Sequence, residues 1–211
     1  MSNRPHKPVS MPPWRLEASE SEEDALWRLH PERQAAIAHD TASLLVREAP
    51  EAERAVLLGR LKDFADSDGL DSLAELWSGV ASPSLPRALF RLFQIRQRII
   101  THADEIGQLV NRGVESLPTI DPYVVGAEVP VSAESVGTII DEILTGTFHG
   151  DLAAALERAA ALSRLIAAGL LHWADPADDD NHRRALSSLA WGDVAKELAD
   201  CAVRERKGLL N

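Results

Sequence analysis

Residues 151–173, DLAAALERAAALSRLIAAGLLHW, constrain the fold more than any other stretch of the chain. Alanine and leucine are strong helix formers, and no proline interrupts them, so the pattern predicts one long helix. At about 100° per residue, Glu157, Arg158, Arg164 and His172 fall within one arc of about 120°. The rest of the circumference is chiefly Ala and Leu. A helix so apolar is stable in water only where neighbours cover it, which places it at the centre of a helical bundle. Leu156, Leu162 and Leu165 are its expected core residues. Three charges interrupt the stretch, so it reads as a core helix and not as a membrane span.

The turn before it, GTFHGD at 146–151, explains how the helix starts. Asp151 is a favoured N-cap, its carboxylate accepting N–H bonds that the first turn leaves open. Gly146 and Gly150 are expected to reverse the chain through positive φ. His149 then belongs to a tight turn between helices and not to a catalytic His–Asp pair.

Most of the remaining sequence repeats this helical syntax. Pro31 opens a helix carrying Ile37, Leu44 and Leu45. Pro50 opens another, with Leu57, Leu61 and Phe64 on one face and Gly69 closing it. Asp71 is the expected N-cap of a helix with Leu73, Leu76, Trp77 and Val80 at helical spacing. After the breaker SPSLP, residues 87–102 place Leu89, Leu92, Phe93 and Ile99 inward, opposite Arg91, Gln94 and Arg98. Residues 104–113 follow either as a kinked continuation or as a separate short helix, ending at Gly113. Residues 114–131 contain three prolines and the run Tyr123-Val124-Val125, and read as an ordered loop or a short strand pair. Ser132 caps the next helix, and a last one runs from about Asn181 to Lys207. The expected fold is all-α, a single helical bundle of about seven or eight helices. No strict repeat is present.

Residues 1–24 differ in kind: four prolines and a few basic residues precede an acidic run, and the expected state is a disordered tail. The bundle domain is then 25–211, with Trp27 at its start. Trp14 follows Pro12-Pro13 and lies ahead of Glu17, Glu20, Glu22, Glu23 and Asp24. An aromatic anchor beside a negative run suits docking on a basic groove, either of a partner or of the Arg-rich helix 87–98. Along the whole 211-residue chain the net charge of −11 argues against general binding of nucleic acid or anionic membranes. No apolar signal segment is visible, and the single cysteine makes no intramolecular disulfide, so a soluble cytoplasmic protein is expected.

Motifs of chemistry are sparse. The acidic stretch DPADDDNH at 175–182 fails the calcium-loop pattern, with Arg183 and Leu189 where glycine and glutamate are needed, so it reads as a loop leading to a helix cap. His39-Asp40 has the doublet of the helical metal-dependent phosphohydrolases of the HD class, with His30 upstream. No His-Glu-x-x-His, phosphate-cradling glycine loop or Gly-x-Ser-x-Gly occurs. Cys201 reads as a packing residue. Neither a cofactor nor a metal site is expected. Glu157, Arg158 and Arg164 have no opposite charge at i±4. With His172 they either touch solvent or pair with acids on adjacent helices, or else form a polar pocket or partner-binding surface, and together with Trp14 they are the candidate partner-binding residues.

The segments LAELWSGVASPSLPRALFRLFQIRQRI, IDPYVVGAEVP and ILTGTFHGDLAAALERAAALSRLIAAG, in that order, resemble an uncharacterised actinobacterial helical family. The resemblance covers roughly residues 32–175. Some members carry the label DNA-directed RNA polymerase subunit beta. A helical chain of this size holds no double-barrel catalytic core, and the metal-binding aspartate motif is absent, so the resemblance implies at most a non-catalytic association with polymerase. Two functions are therefore expected in order: a non-enzymatic cytoplasmic interaction or regulatory protein, then a transcription-associated polymerase-binding factor. A metal-dependent hydrolase using His39 and Asp40 comes third.

Overall fold

A computed structural model of the chain describes residues 31–47, 69–117, 132–172 and 181–211. Trp14, Trp27, the expected tail at 1–24, the expected helix after Pro50, most of the 114–131 segment and most of the acidic 175–182 stretch lie outside them. The chain divides into two units, Met1–Gln34 and Ala35–Asn211. Of the first, only the opening turn of a helix is described. Among the described residues there are seven helices and no strand: α1 (Pro31–Val46), α2 (Gly69–Ser78), α3 (Leu85–Thr101), α4 (Ala103–Ser116), α5 (Ala133–Leu144), α6 (Leu152–His172) and α7 (Asn181–Arg206). The all-α fold is the one the periodicity predicts.

Local chemistry accounts for most of the helix ends. Ser84 has an extended backbone, and its hydroxyl accepts from the Arg87 amide at 3.4 Å, while Pro86 occupies the first turn of α3. His102, at φ −138°, closes α3 by donating its amide to Arg98 O and opens α4 in the same step. Ser132 and Ser135 form a reciprocal capping box at the start of α5. Asp151 caps α6 as expected, its Oδ1 accepting from the Ala154 amide at 3.2 Å.

Three boundaries differ from the expectation. Asp71 lies in the first turn of α2 and is not its cap, because the helix already begins at Gly69 and carries Leu70 against the core. Gly113 does not stop α4. The helix runs on through 114–116, residues expected in a loop, because this glycine is a packing contact with α6 and not a terminator. Gly146 does have positive φ, at 70°, but Gly150 does not. Its small size serves another purpose: a Cβ there would lie 2.7 Å from the Phe148 ring.

The apolar helix α6 packs against α3, α4, α5 and α7. Leu156, Leu162 and Leu165 are fully buried, as expected, beside Trp77, Leu89, Leu92 and Ile140. Phe93 is buried with them, whereas Ile99 is only half-buried against the cluster. Each such side chain contributes roughly 1.5–3 kcal/mol by leaving water. Cys201 is buried in the same core, and burial pushes its thiol pKa up to about 11. Trp77 satisfies its indole N–H on Thr41 Oγ1 at 3.1 Å.

Polar contacts then tie α7 to its neighbours. Ser188 Oγ donates to Ala167 O of α6 at 2.9 Å. Glu197 accepts from Arg87 Nε at 2.9 Å and Arg91 Nε at 2.7 Å, both on α3. Beyond α7 the chain folds back on the start of α3, where Leu85 N donates to Asn211 O at 2.8 Å. Arg47 holds this end through a forked pair with Glu205 and a 2.8 Å bond to Leu210 O.

Candidate functional site

An open groove of about 530 Å³ lies between α3 and α7 in the Ala35–Asn211 unit. On the α3 wall, Phe90, Gln94 and Arg98 form one row at i, i+4 and i+8, flanked by Arg91 and Gln97. On the α7 wall, Ala190 and Val194 form a parallel row, with Trp191 and Asp193 beside it. Leu186 continues that row one turn earlier and is 54% exposed. The depth of the groove is apolar, because Phe90, Trp191 and Val194 each pack one side against the core and leave the other uncovered.

Glu197 sets the geometry of the α3 wall. Its carboxylate bridges Arg87 and Arg91, and the Arg87 guanidinium lies 5.2 Å from the centre of the Phe90 ring, a cation–π distance. Burial alone would raise the Glu197 pKa, but hydrogen bonds from Arg91, Arg87 and Ser82 outweigh it and hold the carboxyl below its ordinary value. Two successive turns at the N-terminal end of the wall are thus fastened by one acid. Arg96 is paired with Asp141. Arg98, exposed on the groove side, has no acidic partner among the described residues.

No family model, curated protein or solved structure matches this chain. The groove is therefore read from its own geometry.

Of the residues expected to bind a partner, the four on α6 lie away from this groove and are spread along their helix. Trp14 is outside the described residues. Glu157 pairs with Arg206 of α7 at 2.8 Å, with Asp151 nearby on the same guanidinium. Arg158 donates to Ser135 Oγ at 3.2 Å while its Nε is buried without a hydrogen-bond partner. Arg164 is half-buried and engaged. His172, about 22 Å further along the helix than Glu157 at 1.5 Å per residue, is exposed beside Gln108, Asn111, Arg112 and Glu115. Along α6 these residues meet different neighbours: Glu157 faces α7, Arg158 faces α5, and His172 lies beside α4. Pairing with adjacent helices accounts for Glu157 and Arg158.

His39 is half-buried and Asp40 exposed. Among the described residues no three His, Cys, Asp or Glu side chains gather as metal ligands would. His149 is exposed in its turn. The α7 wall, Trp191 included, carries no sequence motif that marks it as a site; its one signal is the helical spacing of Leu186, Ala190 and Val194.

Proposed function

We propose that this chain is a non-enzymatic protein-interaction protein of the cytoplasm and that the α3–α7 groove is its contact face. One observation carries the proposal: an open groove walled by Phe90, Trp191 and Val194 leaves aromatic and aliphatic surface in water with polar and charged groups at its rim. Apolar depth with a polar rim is the anatomy of protein–protein contacts, and Trp, Phe and Arg are the side chains enriched there. In keeping with a protein outside the bilayer, no described helix is long and apolar enough to cross a membrane.

Site-specific photo-crosslinking in cells tests this. A crosslinker at Gln94, exposed on the rim, should yield one recurring protein adduct, and the same group at exposed Thr138 on α5 should yield none. Adding Trp191→Ala should abolish the Gln94 adduct. Equal capture at both positions would show that the groove has no special standing. If the recurring adduct is a polymerase subunit, the partner is the one the family resemblance implies.

A further inference from the structure

We infer that the occupant of the α3–α7 groove is an amphipathic helix of a partner protein, with a carboxylate on one flank of its apolar face and a cation on the other. The inference rests on the contact face proposed above and names the chemistry of what fills it.

The shape comes first. A second recess of about 120 Å³ adjoins the groove, sharing Arg98 and Trp191 and extending toward His102, Glu105, Ile106 and Ser187. From Phe90 to His102 the α3 side spans about 18 Å at 1.5 Å per residue, or three helical turns. Both walls are helices whose backbone groups are already bonded within themselves, so there is no free strand edge to pair with an extended peptide. A helix brings its own backbone bonds satisfied. Its side-chain ridge can lie between the Phe90–Gln94–Arg98 and Leu186–Ala190–Val194 rows as helices pack in proteins generally.

Charge then sets the flanks. Of the four arginines of α3, Arg87 and Arg91 share Glu197 and Arg96 has Asp141. Arg98 has no such partner among the described residues. Asp193, on the opposite wall, is likewise exposed and unpaired there. Two charges of opposite sign, neither in an ion pair among the described residues, thus border one apolar trough, with exposed Glu105 beside Arg98 in the adjoining recess. The net charge of −11 acts weakly at this range, since salt screens exposed charges beyond about 8–10 Å. The local pair decides the match.

Three fluorescent helical peptides of about 16 residues, with one apolar face and Glu/Lys, Glu/Glu or Lys/Lys flanks, would be titrated against the full chain. The mixed peptide should bind on the order of fivefold tighter than either uniform one, as expected for exposed ion pairs. Arg98→Glu should transfer the preference to the Lys/Lys peptide, and Asp193→Lys to the Glu/Glu peptide. Equal binding of all three, or a preference unmoved by both reversals, would overturn the charge assignment while leaving the groove as an apolar contact face. Binding undiminished by Trp191→Ala would instead remove the groove itself as the site. No binding by any peptide would overturn the helical occupant. So would a dimer of the full chain that peptide disperses, or a gain in peptide affinity on deleting residues 1–24, since each names a different occupant.

Discussion

Leu109 and Gly169 meet backbone to backbone: a Cβ on Gly169 would lie 2.0 Å from the Leu109 carbonyl oxygen. One turn along, the relationship is mirrored, and a Cβ on Gly113 would lie 2.0 Å from Leu165 O. Each helix thus supplies a Leu-x-x-x-Gly step, and the two steps run antiparallel. Contact this close needs glycine on both sides, so α4 and α6 are set at a separation that no larger residue permits.

Gly113→Ala and Gly169→Ala should therefore each force the helices apart and cost about 3 kcal/mol, at the upper end for overpacking because the obstacle is backbone. Gly107, also in α4, faces open space at its Cβ position. There alanine should stabilise by about 0.5–1 kcal/mol through helix propensity alone. Urea denaturation of the three variants separates the cases. Equal effects at 107 and 113 would show that the close crossing does not constrain the fold.

Leu162 is fully buried at the centre of α6. Truncation to alanine leaves a cavity that surrounding helices fill only in part, at an expected cost of about 2–5 kcal/mol. A melting temperature unchanged by Leu162→Ala would mean that α6 is peripheral.

Glu197 links pH to stability. Its folded pKa lies below the ordinary value of a glutamate, so its contribution is fully present above that ordinary value and is lost as pH falls through the depressed folded pKa. Stability measured by denaturation should thus decline below about pH 4.5. Glu197→Gln should flatten that decline and lower stability at neutral pH, since Arg87 and Arg91 lose their shared carboxylate. An unchanged acid limb in the variant would assign the decline to other carboxyls.

Cys201 combines full burial with a thiol pKa of about 11. At pH 8 its thiolate fraction is on the order of 10⁻³, so iodoacetamide should label the native protein far more slowly than the denatured one. Rapid native labelling would place the thiol at the surface and contradict the packing of α7 on the core.

Signals that act over a few residues were readable in advance. Ser132 and Asp151 announce helix starts because their side chains bond amides two or three positions on. The Ala/Leu content of α6 announces a covered helix because burial of that much apolar surface requires neighbours on most sides. Gly113 shows where such signals mislead. Its chemistry equally suits a helix stop and a close crossing, and only the presence of Leu165 beside it distinguishes the two.

The candidate groove is a product of tertiary contact throughout. Arg87 and Arg91 find Glu197 across separations of 110 and 106 residues. Trp191 becomes a groove wall only because α7 lies against α3. Periodicity tells which face of each helix is apolar, through propensity and burial, and so it specified an all-α chain with α6 at its centre. It carries no information about which two faces meet or how far apart they stand. Those depend on the fit of side chains from distant segments, down to the absent Cβ atoms of Gly113 and Gly169.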